Sequence, residues 1–244
     1  GPSKAESLLQ KDITLEKLQA ELSKYPDLSN FPETSCLQEL THHQLIGLKY
    51  LEDIESRIPR AEIEKIEKKL QKHILELDPK LEIIICGSYR REKETSGDID
   101  MLILHPELKT FTDIDNSDMS LKIIVKKLTQ KKLLVDHLTE DGNTKYMGLC
   151  RLVKKSKARR IDIRLIPYES KGAAMLYFTG SGEFNKNMRT EALTKKLTIN
   201  EYGIYKVKKA KGKKIEKGEL IPTESEQDIF KLVNMEYVEP RNRI

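Results

Sequence analysis

Apolar residues recur along this chain at two periods, and the changes between them divide it. Residues 3–24, rich in alanine, leucine and lysine, read as helix until Tyr25-Pro26-Asp27 and Asn30-Phe31-Pro32 break the pattern. A second helical stretch covers about 36–56 and ends at Ile58-Pro59. Over 60–77, Ile63, Ile66, Leu70, Ile74 and Leu77 fall three to four apart, which draws one apolar stripe along a helix. The period then shortens. Leu81 to Cys86 is an isoleucine-rich run typical of a buried strand, followed by a turn at Gly87-Ser88. Residues 98–104 alternate polar and apolar and then become wholly apolar, as a strand does when one end reaches a solvent-filled cleft.

Helix returns over 118–130, two strand-like pieces flank Gly142-Asn143 within 132–153, and residues 159–166 alternate strictly. The last third reads as helix over 171–178, a Gly-Ser-Gly turn at 180–182, and helix from about 183 to 195. A hairpin follows over 198–220, with a lysine-crowded loop at 206–217 that is either a solvated tip or a nucleic-acid contact. The order of elements predicts an α+β chain: helices, a mixed unit built on a sheet, then a smaller α/β unit. There is no internal repeat and no long low-complexity linker.

A chain of 244 residues can bury a real core, and 38% apolar with 34% charged residues describes a soluble protein rather than a disordered or membrane one. No stretch approaches the roughly 18 apolar residues that span a bilayer, no charged-then-apolar leader opens the sequence, and it begins with Gly1 rather than Met. Cys36, Cys86 and Cys150 are odd in number and widely spaced, which disfavours a disulfide framework or a zinc site and suits a reducing compartment. The net charge of +5 permits a polyanionic partner without requiring one.

The candidate chemistry lies in Gly87-Ser88-Tyr89-Arg90-Arg91 and Ser96-Gly97-Asp98-Ile99-Asp100. Side chains alternate along a strand, so Asp98 and Asp100 share a face while Ile99 enters the core. Two carboxylates held so close repel unless a cation sits between them, and hard oxygen ligands suit magnesium. Asp-x-Asp alone is a weak signal, since any wet strand can carry it. The context strengthens it: in Arg160-Ile161-Asp162-Ile163-Arg164 a third acid shares its face with two arginines. If the two strands are neighbours, Asp98, Asp100 and Asp162 converge. Glycine and serine at 87, 88, 96 and 97, with Arg91, then supply amides, hydroxyls and charge for phosphate oxygens. Three carboxylates holding two magnesium ions roughly 4 Å apart make a phosphoryl-transfer site.

The segments GSYRR, SGDIDMLILHP, TKYMGLC, RRIDIRLIP, YFTGSGEFNKNMR, TINEYGI and SEQDIF…EYVEPRNR occur in that order, preceded by THHQLIGLKYLEDIESRIPRAEI. Together they resemble the family X DNA polymerases of the beta type over nearly the whole chain. The resemblance implies a helical duplex-binding subdomain over 1–56 and a catalytic nucleotidyltransferase palm with a mixed sheet over 57–168. A smaller α/β nucleotide-selecting subdomain follows over 169–244. It implies that Asp98, Asp100 and Asp162 ligate two Mg2+ ions, with Mn2+ as an alternative. Arg57, Ser88, Arg91, Ser96 and Gly97 would bind the triphosphate, Tyr177, Phe178 and Gly180 the sugar, and Asn185 the base edge. Arg189 would contact the template, Arg160 the primer end and Lys145 the minor groove, while Arg164, Glu201 and Tyr202 would couple subdomain closure to metal binding.

The implied partners are primer-template or gapped DNA and a dNTP, met by a monomer with no membrane. The implied setting is the nucleus in a eukaryote, or otherwise an intracellular one, including the cytoplasm or virion of a virus. Three departures stand out. Gly182 occupies the place of a family aspartate near the base, so base contact should be altered. The family's lyase domain has no counterpart here, and residues 1–18 resemble only the second half of a helix-hairpin-helix element. Residues 25–34 resemble an insertion. A template-independent nucleotidyltransferase would use the same acids, whereas a non-catalytic nucleic-acid-binding relative would usually lack one of them.

Overall fold

A computed structural model of the chain describes residues 1–244 apart from 140, 141, 212 and 213, and apart from the side chains of 210, 211 and 214. Two helices, α1 (Pro2–Gln10) and α2 (Leu15–Leu22), replace the single one expected over 3–24. Asp12 adopts φ 55, a left-handed conformation that cannot continue α1, and the Thr14 side chain caps α2 by accepting the Lys17 N–H. The stretch at 36–56 is likewise divided, into a 3-10 turn (Cys36–Glu39), α3 (His42–Lys49) and α4 (Leu51–Glu55). A capping box between Thr41 and Gln44 starts α3. Leu18, Leu22, Leu37, Leu45, Ile46 and Tyr50 bury together with Leu149 and Ala158, so this helical unit is docked on the middle of the chain.

The central unit runs β1 (Ile58–Pro59), α5 (Arg60–Leu75), β2 (Glu82–Ile85), α6 (Gly87–Arg90), β3 (Thr95–Ser96) and β4 (Ile99–Leu104). It continues with α7 (Phe111–Asp115), α8 (Leu121–Gln130), β5 (Leu134–His137), β6 (Lys145–Cys150) and β7 (Arg159–Leu165). Gly87-Ser88 is thus the first half of a short helix rather than a turn, and α8 begins three residues later than the pattern predicts. Helix α7, which the pattern did not reveal, is held by a capping box between Thr110 and Asp113. The sheet has the order β2-β4-β7-β6-β5, with β4 and β7 parallel and the other neighbours antiparallel.

One face of this sheet lies under α5 and α8, where Ile63, Ile66, Leu70, Ile74, Ile124 and Leu128 meet Ile99, Met101, Ile103, Ile161, Ile163 and Leu165. On the other face Leu102 and Leu104 are covered by Ala174. Asp100 and Asp162 share that second face but stand at its uncovered end.

The carboxy-terminal unit contains α9 (Lys171–Thr179), α10 (Gly182–Thr194), β8 (Leu197–Asn200), β9 (Gly203–Lys211), β10 (Lys214–Ile221) and α11 (Glu226–Leu232). Its strands pair antiparallel in the order β10-β9-β8. Most of the expected loop at 206–217 is therefore strand, and its remaining tip, at 212 and 213, lies outside the described residues. Lysine hid these strands because none of the described residues over 206–217 is buried, so no apolar alternation was needed. Leu176, Met188, Ala192, Ile204, Ile229 and Phe230 form the unit's core.

Candidate active site

The parallel register of β4 and β7 sets Asp100 directly opposite Asp162. Asp98 precedes β4 on the same face, and one oxygen from each of the three carboxylates lies within 4.8 Å of the others. The sheet holds them there because Ile99, Met101, Ile161 and Ile163 are fully committed to the core on the opposite side. Burial, then the charges of Asp98 and Asp162, push the Asp100 carboxyl up to about 7. Burial and then Asp162 raise Asp98 as well. A cluster whose protons are held this firmly is short of positive charge, and three hard oxygen donors fit a divalent cation such as magnesium.

Some of that positive charge comes from Arg160, whose guanidinium reaches Asp162 Oδ1 at 3.4 Å and Oδ2 at 3.3 Å. A glycine is required beside Asp100. Gly87 has φ +59, and a Cβ on it would lie 2.4 Å from Asp100 Oδ2.

A cleft of about 870 Å³ opens from Asp98 and Asp100, and it is lined by Arg57, Ser88, Arg91, Gly97, Tyr177, Phe178, Gly180, Asn185 and Arg189. Nine residues expected at a nucleotide or template site are thereby gathered from β1, α6, β4, α9 and α10 or their flanks. Arg57 is positioned by Thr95, with Nε 3.1 Å from Oγ1 and Nη2 2.7 Å from the carbonyl. Arg91 donates to the Thr179 carbonyl while its Nε is buried without a partner, an arrangement that leaves donor capacity for an anion. Tyr177 and Phe178 pack edge to face at 5.1 Å, and Asn185 Nδ2 holds the Tyr177 carbonyl at 2.7 Å. The Arg189 Nε donates to the Asn185 carbonyl at 3.3 Å.

Other expected residues lie elsewhere. Ser96 does not line the cleft: it is 1% exposed with its hydroxyl buried and unpartnered, because β1 and β3 pair around it. Lys145 is exposed on β6 opposite Arg164, two residues beyond the pairing of Met147 with Asp162, and so stands on the acid-bearing face. The Arg164 guanidinium sits over the Phe178 ring at 5.3 Å, while Tyr202 packs against Phe111 at 5.1 Å. Among the described residues no ion pair joins Arg164 to Glu201.

Lys93, Glu94 and Thr95 also line the cleft without having been singled out for it, and Gly182, expected near the base, lines it too. The strongest unexpected feature is a buried network between units. Arg90 grips Glu226 through both carboxylate oxygens at 2.9 and 2.7 Å, Arg243 reaches the same carboxylate at 2.6 Å, and Arg90 also donates to Thr179 Oγ1 at 2.6 Å. Burial would raise the Glu226 pKa, but the hydrogen bonds from Arg90 and Arg243 outweigh it and hold the pKa below the usual glutamate value. The three residues stand in GSYRR, SEQDIF and EPRNR, but no local pattern signals that Arg90 meets Glu226 136 positions away, or that Arg243 joins them.

A family model described as DNA polymerase beta palm matches residues 57–168, and one described as DNA polymerase beta thumb matches 174–244. The chain is 38% identical over 214 residues to "DNA polymerase lambda" of Rattus norvegicus, covering 85% of this chain and 36% of that protein. It is 30% identical over 215 residues to "DNA polymerase lambda" of Arabidopsis thaliana, covering 84% and 40%. To "DNA nucleotidylexotransferase" of Xenopus laevis it is 27% identical over 234 residues, covering 84% and 45%. The chain therefore spans less than half the length of these relatives.

Proposed function

This chain belongs to the family X DNA polymerases, and from that premise we propose that it adds dNTPs to a primer 3′-hydroxyl under template direction, filling short gaps in DNA repair and releasing pyrophosphate. The observation that carries this reading is the meeting of three carboxylates within 4.8 Å beside a cleft lined by arginines and a Tyr-Phe pair. We take the functional units to be a helical duplex-binding subdomain over 1–56, a palm over 57–168 and a nucleotide-selecting subdomain over 169–244. The protein acts on gapped or primer-template DNA as a monomer, in the nucleus if its source is eukaryotic.

Asp98, Asp100 and Asp162 would hold two magnesium ions, or manganese in their place. When bound, these supply Lewis acidity toward the attacking hydroxyl and neutralise the triphosphate and its leaving group. Asp162 would accept the proton of the primer 3′-hydroxyl. Arg160, now hydrogen-bonded to Asp162, can exchange that carboxylate for the primer end. Arg57, Ser88, Arg91 and Gly97 present donors to the triphosphate, as charge-assisted hydrogen bonds require. Tyr177 and Phe178, packed edge to face with the Tyr177 carbonyl held by Asn185, form the wall against which the sugar packs, and Arg189 faces the template. The overlap of Arg164 with Phe178 would transmit a change in the acidic cluster to that wall.

Similarity to a nucleotidylexotransferase favours a second reading, addition of nucleotides without a template. Supplying a single-nucleotide gap or a recessed primer, with and without template and with one dNTP at a time, separates the two in magnesium and in manganese. Extension that follows the template base supports the first reading, and tailing of a bare primer would replace it. Asp162→Ala is expected to lose at least roughly 10²-fold in rate. Parental extension by that variant would overturn the mechanism, and a parent that extends no primer in any of these assays would leave a non-catalytic nucleic-acid-binding relative.

A further inference from the structure

The positive charge of this protein is concentrated in one stretch of its sequence. Residues 203–221 carry seven lysines and two glutamates, an excess equal to the net charge of +5 of the whole chain. The remainder is therefore neutral in sum. Strand β8 pairs with residues 203–206 of β9, and among the described residues the last hydrogen bond from the ribbon to the body is the one from the Val207 N–H to the Lys196 carbonyl at 2.8 Å. Beyond it β9 and β10 run on as a two-stranded ribbon. Such ribbons are marginal alone in water, so a lengthened one calls for a partner. Register shifts on either side of Lys217 mark irregularities of the β-bulge kind, which bend a ribbon and increase its twist.

The side chains show what kind of partner. Lys206, Lys208, Lys209 and Lys217 are all exposed, and among the described residues the outer ribbon presents no large apolar patch of the sort that forms the centre of a protein interface. Lys208 meets Glu216 at 3.0 Å and Lys206 meets Glu219 at 2.6 Å, but exposed pairs of this kind hold little energy and yield readily to a phosphate. Lys209 has no carboxylate within ion-pair distance among the described residues. A two-stranded ribbon has the width that the major groove of duplex DNA admits, and lysines neutralise phosphates without reading bases.

We propose that the β9–β10 ribbon is a sequence-independent DNA arm, gripping the phosphate backbone of the duplex beside the primer end. It is built on the sheet that packs under α10, the helix whose Asn185 and Arg189 line the cleft, so the arm moves with the nucleotide-selecting wall. The inference rests on DNA being the substrate, as proposed above.

The test is fluorescence anisotropy of a labelled recessed primer-template with the full chain, from about 50 to 200 mM salt. The triple variant Lys208→Gln, Lys209→Gln and Lys217→Gln is compared with Lys65→Gln, Lys68→Gln and Lys122→Gln. The second set removes the same charge from exposed positions on α5 and α8. The ribbon variant is expected to flatten the slope of log affinity against log salt by about 2.7, or 0.9 per lost phosphate contact, while the control keeps the parental slope. Replacing the same three ribbon lysines by arginine should restore it.

Equal slopes for parent and ribbon variant would overturn the arm, as would equal flattening by both triple variants, which is a net-charge effect. Competition by poly-glutamate as strong as by duplex would also overturn it, by pointing to an acidic protein. A parent that fails to bind duplex at any salt instead removes the polymerase reading itself.

Discussion

Gly87→Ala tests the geometry of the acidic cluster with one methyl group. A Cβ at this position would stand 2.4 Å from Asp100 Oδ2, whereas real Cβ contacts essentially never fall under 3.0 Å, so the carboxylate must retreat by about 0.6 Å. The φ of +59 adds left-handed strain of about 1–2 kcal/mol for alanine, too little to unfold a domain of ordinary stability. A misplacement near 1 Å costs about 10²-fold in rate, so the expected loss is roughly 10- to 100-fold, or about 1.4–2.7 kcal/mol of transition-state stabilisation. Single-turnover extension by one nucleotide on a gapped duplex measures it, beside a thermal melt that reports the fold. Gly182→Ala is the control: it lines the same cleft at the start of α10 but a Cβ there meets nothing within 4 Å. It should extend primers near the parental rate and melt no lower than the parent, since the added methyl meets open space at the first position of α10. A folded Gly87→Ala protein that extends as fast as the parent would refute the idea that Asp100 must sit against a bare backbone.

Divalent-ion affinity should be pH-dependent, because an ion must displace the proton that burial and neighbouring charge keep on Asp100 up to about 7. Calorimetric titration should show the apparent Kd rising about tenfold per pH unit below 7 and levelling above it, with one proton released per site. With its folded pKa raised above the unfolded value of 3.8, Asp100 also makes the metal-free protein less stable as pH climbs from about 4 through 7. Asp100→Asn should remove that slope in a melting series. Glu226→Gln leaves Arg90 and Arg243 with a buried, uncompensated charge, so denaturant unfolding should show a loss of about 3–5 kcal/mol. The Glu226 pKa is lowered on folding, so the stability it contributes is present above pH 4.5, and the parent loses it as pH falls through the depressed folded value. The Gln variant should lack that acid-side loss.

Much of the local structure could be read without coordinates. The stripe Ile63, Ile66, Leu70, Ile74 became α5, and the alternation at 159–166 became β7 with Ile161 and Ile163 inward and Arg160, Asp162 and Arg164 outward. Where burial did not enforce a period, the reading failed. Residues 206–217 looked like the loop of a hairpin but are mostly the strands β9 and β10, and the left-handed residue at Asp12 divided what looked like one helix.

The placement of a side chain relative to the cleft was also beyond pattern. Ser96 sits in a motif that suggests phosphate binding, but the pairing of β1 with β3 turns it inward. By itself, the sequence determined which face each acid occupies, because side-chain direction follows from strand period and from the cost of exposing the isoleucines between them. Only the tertiary structure decided that β4 and β7 are parallel neighbours in the register that sets Asp100 opposite Asp162, and that Arg90, Glu226 and Arg243 close one buried network. Contacts between distant segments depend on how whole elements pack, and no window of local sequence contains that information.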